Sequence, residues 1–333
     1  MVLPVRDAAD TLPQALDSIL SQDESNLELL AVDDGSIDET PPILLDYSSR
    51  DSRLRVLSSG GGGVVDALNI GLSEAQAPYI ARMDADDVSL PQRLKLQCDF
   101  LDVNREVGLV SSKVKYWQPS GETGLGYALF VDWINGLTNH AEIQLGRFVE
   151  SPLAHPSVVF RKSLVEAHGG YENGLFPEDY ELWLRWLEQG VRMEKLSEVL
   201  LLWRDSDDRL SRVDPRYSSE AFYKMKIEYL ARWLRQSNRF QPNIMVWGAG
   251  RKTRSRSRLF AEHGIEISGF FDVDPRKIGS PREDLVVLPI DEIPEPGKVF
   301  IVGMVASRGA RDRISSYLSD RGYRHGLDFI LAA

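Results

Sequence analysis

Residues 79–90, YIARMDADDVSL, join a short apolar run to a dense group of carboxylates. Asp84, Asp86 and Asp87 place three like charges within four positions. Carboxylates at this density repel one another, and burying them without partners is costly. The run YIARM (79–83) predicts a strand, so the acidic cluster follows the end of a strand. We therefore expect the cluster to have a function that offsets its cost.

The chain before this segment alternates short apolar runs with helical patterns. Strands are predicted at 1–5 (MVLPV), 27–32 (LELLAV) and 54–59 (LRVLSS), and helices at 11–22, 40–50 and 64–75. Alternating strands and helices indicate a parallel sheet covered on both faces. Ligands of such sheets bind outside the carboxyl ends of the strands. Both DDGS (33–36) and DADD (84–87) lie at such ends.

Composition limits the classes of protein. The 333 residues are 43% hydrophobic and 27% charged, which is typical of a globular protein with two domains. A net charge of −11 argues against a nucleic-acid partner or a broad anionic-membrane surface. The single Cys98 permits no internal disulfide and fits a reducing compartment. Without a secretory signal or an apolar run of about 18 residues, we expect a cytoplasmic protein, at most attached to a membrane surface.

The second half of the chain predicts a further domain. Residues 209–242 are helical and charged, as in a linker, and strands alternate with helices again from residue 244. The sequence thus predicts a first α/β domain over 1–208, a helical linker over 209–242 and a smaller α/β domain over 243–333.

Asp84 and Asp86 are candidate metal ligands. Two carboxylates spaced i and i+2 at a strand end can converge on Mg²⁺ or Mn²⁺, which prefer oxygen ligands. Such a cation neutralises a diphosphate leaving group. The alternative is that Asp87 caps the helix that follows and the other two are solvated turn residues. A DxD pair alone does not decide between these interpretations.

Five segments, in this order and spacing, resemble the family 2 glycosyltransferases with the GT-A fold. They are residues 2–22 (VLPVRDAADTLPQALDSILSQ), 29–40 (LLAVDDGSIDET), 79–94 (YIARMDADDVSLPQRL), 151–172 (SPLAHPSVVFRKSLVEAHGGYE) and 177–186 (PEDYELWLRW). The resemblance covers about residues 1–205. It implies a mixed, mainly parallel sheet and inverting transfer of a sugar from a nucleotide sugar, which we expect to be a UDP-sugar. The acceptor would be a saccharide or a lipid-linked hydroxyl.

The resemblance also implies which residues bind the nucleotide. Asp33 and Asp34 would contact the nucleoside, together with the backbone of Pro4 and Val5. Arg6 and Asp7 follow, where the family usually has an aromatic residue and an asparagine.

The remaining roles concern the metal and the chemistry. Asp84 and Asp86 match the DxD motif, which holds ribose and metal, and Asp179 matches the catalytic base. Arg82 could reach the donor or simply pair with Asp84. Glu178, next to Asp179, must point elsewhere, although acidic residues are also favoured at a helix start for their charge alone.

Two aromatic side chains are candidates for the acceptor site or its surroundings. Trp183 lies one helical turn beyond Asp179 and is expected to line the acceptor site, whereas Trp186 suits the core. His155 could be a metal ligand, but a lone histidine is more often packed and hydrogen-bonded. In LLWRDSDDRLSR (201–212), Ser206 stands where many relatives carry a histidine that helps to bind metal. Asp205 or Asp207 would then substitute, or the DxD motif and the diphosphate alone would hold the metal.

The segment VWGAGRKTRSRSRLF (246–260) resembles half of a nucleotide-binding Rossmann unit. Asp272 follows Gly248 at a suitable distance, but Thr253 stands where a third glycine or alanine would be. Five cations could hold a phosphate there: Arg251, Lys252, Arg254, Arg256 and Arg258. The alternative is a solvated basic face in a domain used for packing or assembly, so an oligomer could form through it. One half-unit argues against a dehydrogenase.

Two other functions compete with a glycosyltransferase. A nucleotidyltransferase also uses carboxylate-bound Mg²⁺, but it needs a glycine- and lysine-rich loop that VRDAADTLP (5–13) does not supply. A decayed transferase could serve as a nucleotide-sugar-binding or scaffold protein. Asp84, Asp86 and Asp179 argue against decay, and Ser206 argues mildly for it.

Overall fold

The computed structural model describes residues 1–118, 125–205, 209–238, 240, 243–279 and 285–333. The chain forms two compact units. The first comprises Met1–Ile143 and Pro152–Tyr217, and the second comprises Gln144–Ser151 and Ser218–Ala333.

This division differs from the predicted one, because the segment 209–242 is not a separate linker. Its first part belongs to the first unit, where the Tyr217 hydroxyl donates a 2.7 Å hydrogen bond to Glu178. Its long helix belongs to the second unit. There the fully buried Lys226 donates to the carbonyl oxygens of Val149 at 3.1 Å and Ala332 at 2.9 Å.

The first unit is built from strands and helices in alternation. Its strands are β1 (Val2–Val5), β2 (Leu29–Asp33), β3 (Leu54–Ser58), β4 (Tyr79–Ala81), β5 (Val88–Ser89), β6 (Val107–Trp117), β7 (Val159–Arg161) and β8 (Arg192–Arg204). The helices that begin in it are α1 (Leu12–Leu20), α2 (Thr40–Arg50), α3 (Val64–Glu74), α4 (Arg93–Val103), α5 (Leu125–Gly136), α6 (His140–Gly146), α7 (Ser163–His168), α8 (Glu178–Glu188) and α9 (Leu210–Val213).

Two sheets of the first unit meet at β1. Strands β1, β2 and β3 are parallel and lie in that order, while β4-β7-β6-β8-β5 form a mixed sheet. A backbone bridge between Val2 and Arg82 joins β1 to the chain just after β4. The predicted α/β architecture with a mixed, largely parallel sheet is confirmed. The carboxyl ends of β1, β2 and β4 therefore lie side by side.

Apolar side chains cover these strands and hold their ends in place. Helix α1 buries one face, formed by Leu12, Ala15, Leu16 and Ile19, in a core that also contains Leu3 and Ala31. A second core packs Val2 and Leu30 against residues of α3 and α8, including Leu68 and Trp186. Neighbouring positions of β1 and β2 thus enter different cores, because side chains alternate across a strand. The polar residues at the ends of these strands therefore follow backbone that is packed against a core on each face.

The second unit has a parallel sheet of its own. Its elements are α10 (Ser219–Ser237), β9 (Ile244–Trp247), α11 (Arg251–Ser257), α12 (Leu259–Glu262), β10 (Ile267–Asp272), β11 (Val286–Pro289), β12 (Phe300–Gly303), α13 (Ala310–Asp320) and β13 (Phe329–Leu331). The strands lie in the order β11-β10-β9-β12-β13, all parallel. The predicted smaller Rossmann-like α/β domain is confirmed, with β10 and β11 on one side of β9 and β12 and β13 on the other.

Across the described parts of both units, no helix is both long enough and apolar enough to cross a lipid bilayer.

Candidate active site

The residues that were expected to bind the nucleotide lie at the ends of β1 and β2. Pro4 is paired with Val32, and Val5 is paired with Asp33. The backbone N–H of Asp34 donates to the Val5 carbonyl at 2.8 Å. The structure thus brings all four predicted residues to one sheet edge.

The two aspartates after β2 have different surroundings. Asp33 Oδ1 accepts hydrogen bonds from the Ser36 backbone N–H at 3.1 Å and hydroxyl at 2.6 Å. Asp34 is buried and accepts from the backbone N–H of Gly63 at 2.9 Å, in the glycine loop before α3. Asp34 therefore stabilises the glycine loop before α3, whereas Asp33 stabilises the turn that directly follows β2.

Arg6 and Asp7, which depart from the family pattern, are bonded to the segment that follows β2. Arg6 lies 3.3 Å from Asp34 Oδ2, and Asp7 Oδ1 accepts from the Ile37 backbone N–H at 2.8 Å. Asp7 has a φ of 45°, a left-handed conformation that aspartate tolerates better than most residues. The unusual pair ties the end of β1 to the segment after β2.

Asp84, Asp86 and Asp87 form a compact acidic cluster after β4. One carboxylate oxygen from each lies within 4.8 Å of the others. Asp87 is fully buried, and its Oδ1 accepts from the Arg204 backbone N–H at 2.8 Å. Its Oδ2 is buried and meets no hydrogen-bond partner among the described residues. The alternative in which Asp87 caps α4 is wrong, because Gln92 occupies the N-cap and α4 begins at Arg93.

Crowding and burial shift the pKa values of this cluster. Burial, followed by the charge of Asp84, raises the pKa of Asp86 to about 6. Burial, together with the charges of Asp86 and Asp84, raises the pKa of Asp87 well above its ordinary value. A bound divalent cation would relieve this repulsion and supply the partner that Asp87 Oδ2 lacks. The cluster therefore fits a divalent cation, with Asp87 as a third carboxylate beside the two predicted ones.

Arg82 connects the cluster to the start of α8. It is buried and forms an ion pair with Asp84. Burial alone would lower the pKa of Arg82, but the nearby Asp84 charge outweighs it and holds the pKa above its ordinary value. Glu178 contributes in the same direction. The predicted pairing with Asp84 is present in the structure, and a contact of Arg82 with the donor stays a prediction.

Glu178 and Asp179 point in different directions at the start of α8, as predicted. Glu178 is buried and accepts the hydrogen bond from Tyr217. Asp179 is half-buried, and burial, followed by the charge of Glu178, raises its pKa to about 7. The Asp84 charge also contributes, so Asp179 and the acidic cluster influence each other. A carboxylate with this pKa suits a general base near neutral pH.

His155 and Trp183 lie beneath the site in the core. His155 Nε2 is 2.7 Å from the Tyr171 hydroxyl, and burial, with a contribution from Arg82, lowers the pKa of His155 well below its ordinary value. Trp183 is 0% exposed and packs edge-on against His155 at 5.9 Å. Contact with an acceptor requires exposed surface, so Trp183 does not line the acceptor site as predicted. It supports α8 from below.

The segment after β8 adds an arginine to the surroundings of the acidic cluster that no sequence pattern indicates. Arg209 is mostly buried, with its guanidinium over the rings of Trp203 at 4.8 Å and Tyr127 at 5.0 Å. Its positive charge offsets part of the rise in the pKa values of Asp86 and Asp87. Arg209 lies within the charged run 201–212, but nothing in that run indicates which of its arginines faces the cluster.

The structure describes only one of the two aspartates, Asp205 and Asp207, that could replace the missing histidine as a metal ligand. Asp205 is buried and accepts from the Tyr116 hydroxyl at 2.8 Å and from Arg212 at 2.9 Å. Asp205 is thus engaged by these two partners and is not one of the three carboxylates that group together. Ser206 and Asp207 lie outside the described residues.

The residues at the ends of β1 and β2, the DxD cluster and the nearby Asp179 are arranged as a glycosyltransferase site would require. Residues 1–169 match the family model described as Glycosyl transferase family 2, and the chain belongs to this family. The resemblance seen in the sequence is confirmed. The segment Ser218–Ala333 of the second unit lies beyond that match.

Relatives and structures agree with this assignment. The chain is 30% identical over 215 residues to the O-antigen biosynthesis glycosyltransferase WbnJ of Escherichia coli, covering 64% of this chain and 81% of that protein. It is 27% identical over 214 residues to the E. coli UDP-Gal:alpha-D-GlcNAc-diphosphoundecaprenol beta-1,3-galactosyltransferase, covering 64% and 75%. The crystal structure of S. aureus TarS 1-349 in complex with UDP-GlcNAc shares the fold, with a TM-score of 0.54, 19% identity, and coverage of 78% of this chain and 70% of that chain.

Proposed function

We propose that the first unit is an inverting, metal-dependent transferase that moves a sugar from a UDP-sugar to an acceptor hydroxyl. The observation that carries this proposal is the pairing of two features. Burial, followed by the charge of Glu178, raises the pKa of Asp179 to about 7, and the charge of Asp84 in the acidic cluster adds a smaller contribution. A base and a cation-binding group are thus close enough to act on one substrate.

The nucleoside would lie at the ends of β1 and β2. Asp33 and Asp34 match the family positions that contact it, together with the backbone of Pro4 and Val5. Because Asp34 also anchors the glycine loop through Gly63, donor binding there would be supported by a fixed backbone. Arg6 reaches Asp34 from the exposed side.

Asp84, Asp86 and Asp87 would hold Mn²⁺ or Mg²⁺, which when bound neutralises the charge that develops on the leaving diphosphate. Arg82 fixes Asp84 through their ion pair. Arg204 fixes the other side of the cluster, because its backbone N–H donates to Asp87 and its Nε donates to the Asp86 carbonyl at 2.6 Å. The carboxylates are thus held in position before any cation arrives.

Asp179 would remove the proton from the acceptor hydroxyl as that oxygen attacks the anomeric carbon. One base acting from the face opposite the leaving group gives inversion. Glu178 does not compete for this role, because it is buried and bonded to Tyr217.

The acceptor would be a saccharide or a lipid-linked sugar in polysaccharide or glycoconjugate synthesis. WbnJ is named for O-antigen biosynthesis, and the galactosyltransferase is named for a diphosphoundecaprenol acceptor. An acceptor of the second kind would bring the protein to the cytoplasmic face of a membrane as a peripheral partner.

The test is a donor screen with purified protein. UDP-glucose, UDP-galactose, UDP-GlcNAc and GDP-mannose are each incubated with Mn²⁺ or with EDTA, and release of the nucleoside diphosphate is measured. We expect turnover of one UDP-sugar that requires Mn²⁺ and is lost in Asp179→Asn. Tight donor binding without turnover would instead support a decayed transferase, and equal turnover in EDTA would contradict metal dependence.

A further inference from the structure

The second unit contains a cavity of about 470 Å³ that the transferase function does not use. Its walls include Trp247 at the end of β9, Asp272 at the end of β10 and Val305 just after β12. Ligand pockets commonly measure about 300–1,000 Å³, so the cavity has room for one small organic molecule.

The cavity lies where the strand order of the sheet reverses. From β9 the chain runs through α11 to β10 on one side, whereas β12 lies on the other side of β9. The connections on the two sides diverge there and leave a crevice outside the carboxyl ends of the strands, which is where open parallel sheets bind ligands. The topology alone thus favours a ligand at this position.

Two glycines follow β9, and the structure explains only one of them by packing and backbone conformation. Gly248 has a φ of +117°, and a Cβ there would lie 2.8 Å from Val305, so the fold requires glycine. Gly250 has an ordinary φ of −68°, and a Cβ there would meet no atom of the described residues within 4 Å. The fold does not require glycine at 250. A molecule that passes close to the backbone in the cavity would require glycine at this position.

Asp272 supplies a buried acceptor in the wall. Its carboxylate accepts from the backbone N–H of Ala249 at 2.7 Å and of Asp274 at 2.9 Å, and from Lys277 Nζ at 3.0 Å. Burial would raise the pKa of Asp272, but these hydrogen bonds outweigh it and hold the pKa below its ordinary value. Lys277 is partly exposed, so hydroxyl donors of a ligand can replace its bonds to Asp272. The freed ammonium is then available to an anionic group.

The rest of the lining combines one more cation with an apolar wall. Arg313 is exposed on the first turns of α13. Trp247 and Tyr317 pack edge to face at 5.4 Å, and Ile290 lies in the same wall. The cavity thus offers an acceptor for hydroxyl groups, two cations and a flat apolar surface. These three features suit a molecule that carries a diol, an anionic group and a planar ring.

We propose that this cavity binds a mononucleotide. The ribose hydroxyls donate to Asp272, the phosphate groups are neutralised by Lys277 and Arg313, and the base lies against Ile290 and Tyr317. Gly250 leaves room for the sugar beside the backbone. Thr253 stands where the third glycine or alanine of a dinucleotide-binding fingerprint would be. It is buried, its hydroxyl donates to the Met304 carbonyl at 3.0 Å, and its side chain fills space between α11 and β12. A single nucleotide therefore suits the site better than a dinucleotide.

The test uses the full chain in EDTA, which suppresses metal-dependent binding at the acidic cluster of the first unit. ADP is titrated by calorimetry into unmutated protein and into Gly250→Val. Valine is compatible with the backbone of residue 250 (φ −68°, ψ 157°), so the fold is retained while the side chain enters the cavity. We expect ADP affinity to fall at least tenfold. Ala261→Val, which adds bulk at an exposed position of α12, is the matched control and should bind ADP normally.

Lys277→Gln provides a second, independent measurement. It should weaken ADP binding severalfold more than adenosine binding, because only ADP carries the phosphates. Absence of ADP binding in the unmutated protein up to millimolar concentration would overturn the proposal, as would unchanged affinity in Gly250→Val. Binding that is lost in Asp86→Ala belongs to the first unit and also overturns it. Tighter binding of NAD⁺ than of ADP would refute the mononucleotide assignment.

Discussion

The Tyr217 hydroxyl donates a 2.7 Å hydrogen bond to Oε2 of Glu178, the residue next to the proposed base. This contact gives two adjacent carboxylates different surroundings. Glu178 is buried and engaged, whereas Asp179 is half-buried with a pKa raised to about 7. The predictions on catalysis follow from that asymmetry.

Asp179→Asn should abolish most transfer and leave donor binding nearly unchanged, because the change removes charge and basicity at almost constant shape. Loss of a general base typically lowers the rate by ~10²–10⁴-fold. The loss should appear in kcat more than in donor affinity. Both quantities are measured on one preparation. Near-normal turnover would show that Asp179 is not the general base and that its charge serves only the first turn of α8.

Turnover should rise with pH through about 7 and level off above it, since the proposed base acts only when ionised. Glu178→Gln is the informative variant. It keeps an acceptor for Tyr217 but removes the neighbouring charge that helps to raise the pKa of Asp179, so the midpoint should move to lower pH. Profiles of kcat against pH for both proteins check this. An unchanged midpoint would show that Glu178 does not influence the base.

The same shift has a consequence for stability. The folded pKa of Asp179 lies above its ordinary value of 3.8, so the native state binds more protons than the unfolded state between about pH 4 and 7. The thermal stability of the first unit in EDTA should therefore fall as pH rises through this window. The fall should be smaller in Asp179→Asn. Thermal melts at pH 5 and 7.5 measure it, and equal falls in both proteins would contradict the shift.

Asp86→Ala should abolish metal-dependent nucleotide binding without unfolding the protein. The residue lies at the mouth of the sheet, and its removal relieves repulsion with Asp84 and Asp87. We expect Mn²⁺ with UDP to raise the melting temperature of the unmutated protein but not of the variant. In EDTA the variant should melt at the same temperature or higher. UDP affinity that is equal in Mn²⁺ and in EDTA would refute a metal site in the unmutated protein.

Lys226→Ala should destabilise the second unit by about 2 kcal/mol or more, because the buried carbonyls of Val149 and Ala332 lose their donor. Lys224→Ala, at an exposed position of the same helix, is the control and should change stability little. Thermal and urea melts compare the two. Donor hydrolysis should survive in both variants, since the residues assigned to the chemistry belong to the first unit. Loss of hydrolysis in a folded Lys226→Ala protein would show that the second unit takes part.

Local patterns predicted much of the fold and of the site. Strands β1, β2 and β3 were predicted because each is a short apolar run bounded by polar residues. Asp87 was assigned only as a possible cap, because its hydrogen-bond partner, Arg204, lies 117 residues further along the chain. Strand β11 is four residues long and carries too weak a periodicity to be recognised. Trp183 was misplaced because a single helix pattern cannot show that both sides of α8 are covered.

The contact of Arg6 with Asp34 has a consequence for engineering donor choice. Arg6 is more than half exposed, makes no contribution to either core, and reaches the residue matched to nucleoside binding. Selection on libraries at position 6 would vary the groups presented to the nucleotide base without disturbing the packed strands beneath. Position 7 allows fewer residues, since its backbone conformation favours asparagine, aspartate and glycine. If Asp34 binds the nucleoside as proposed, substitutions at position 6 would change base preference with little effect on folding.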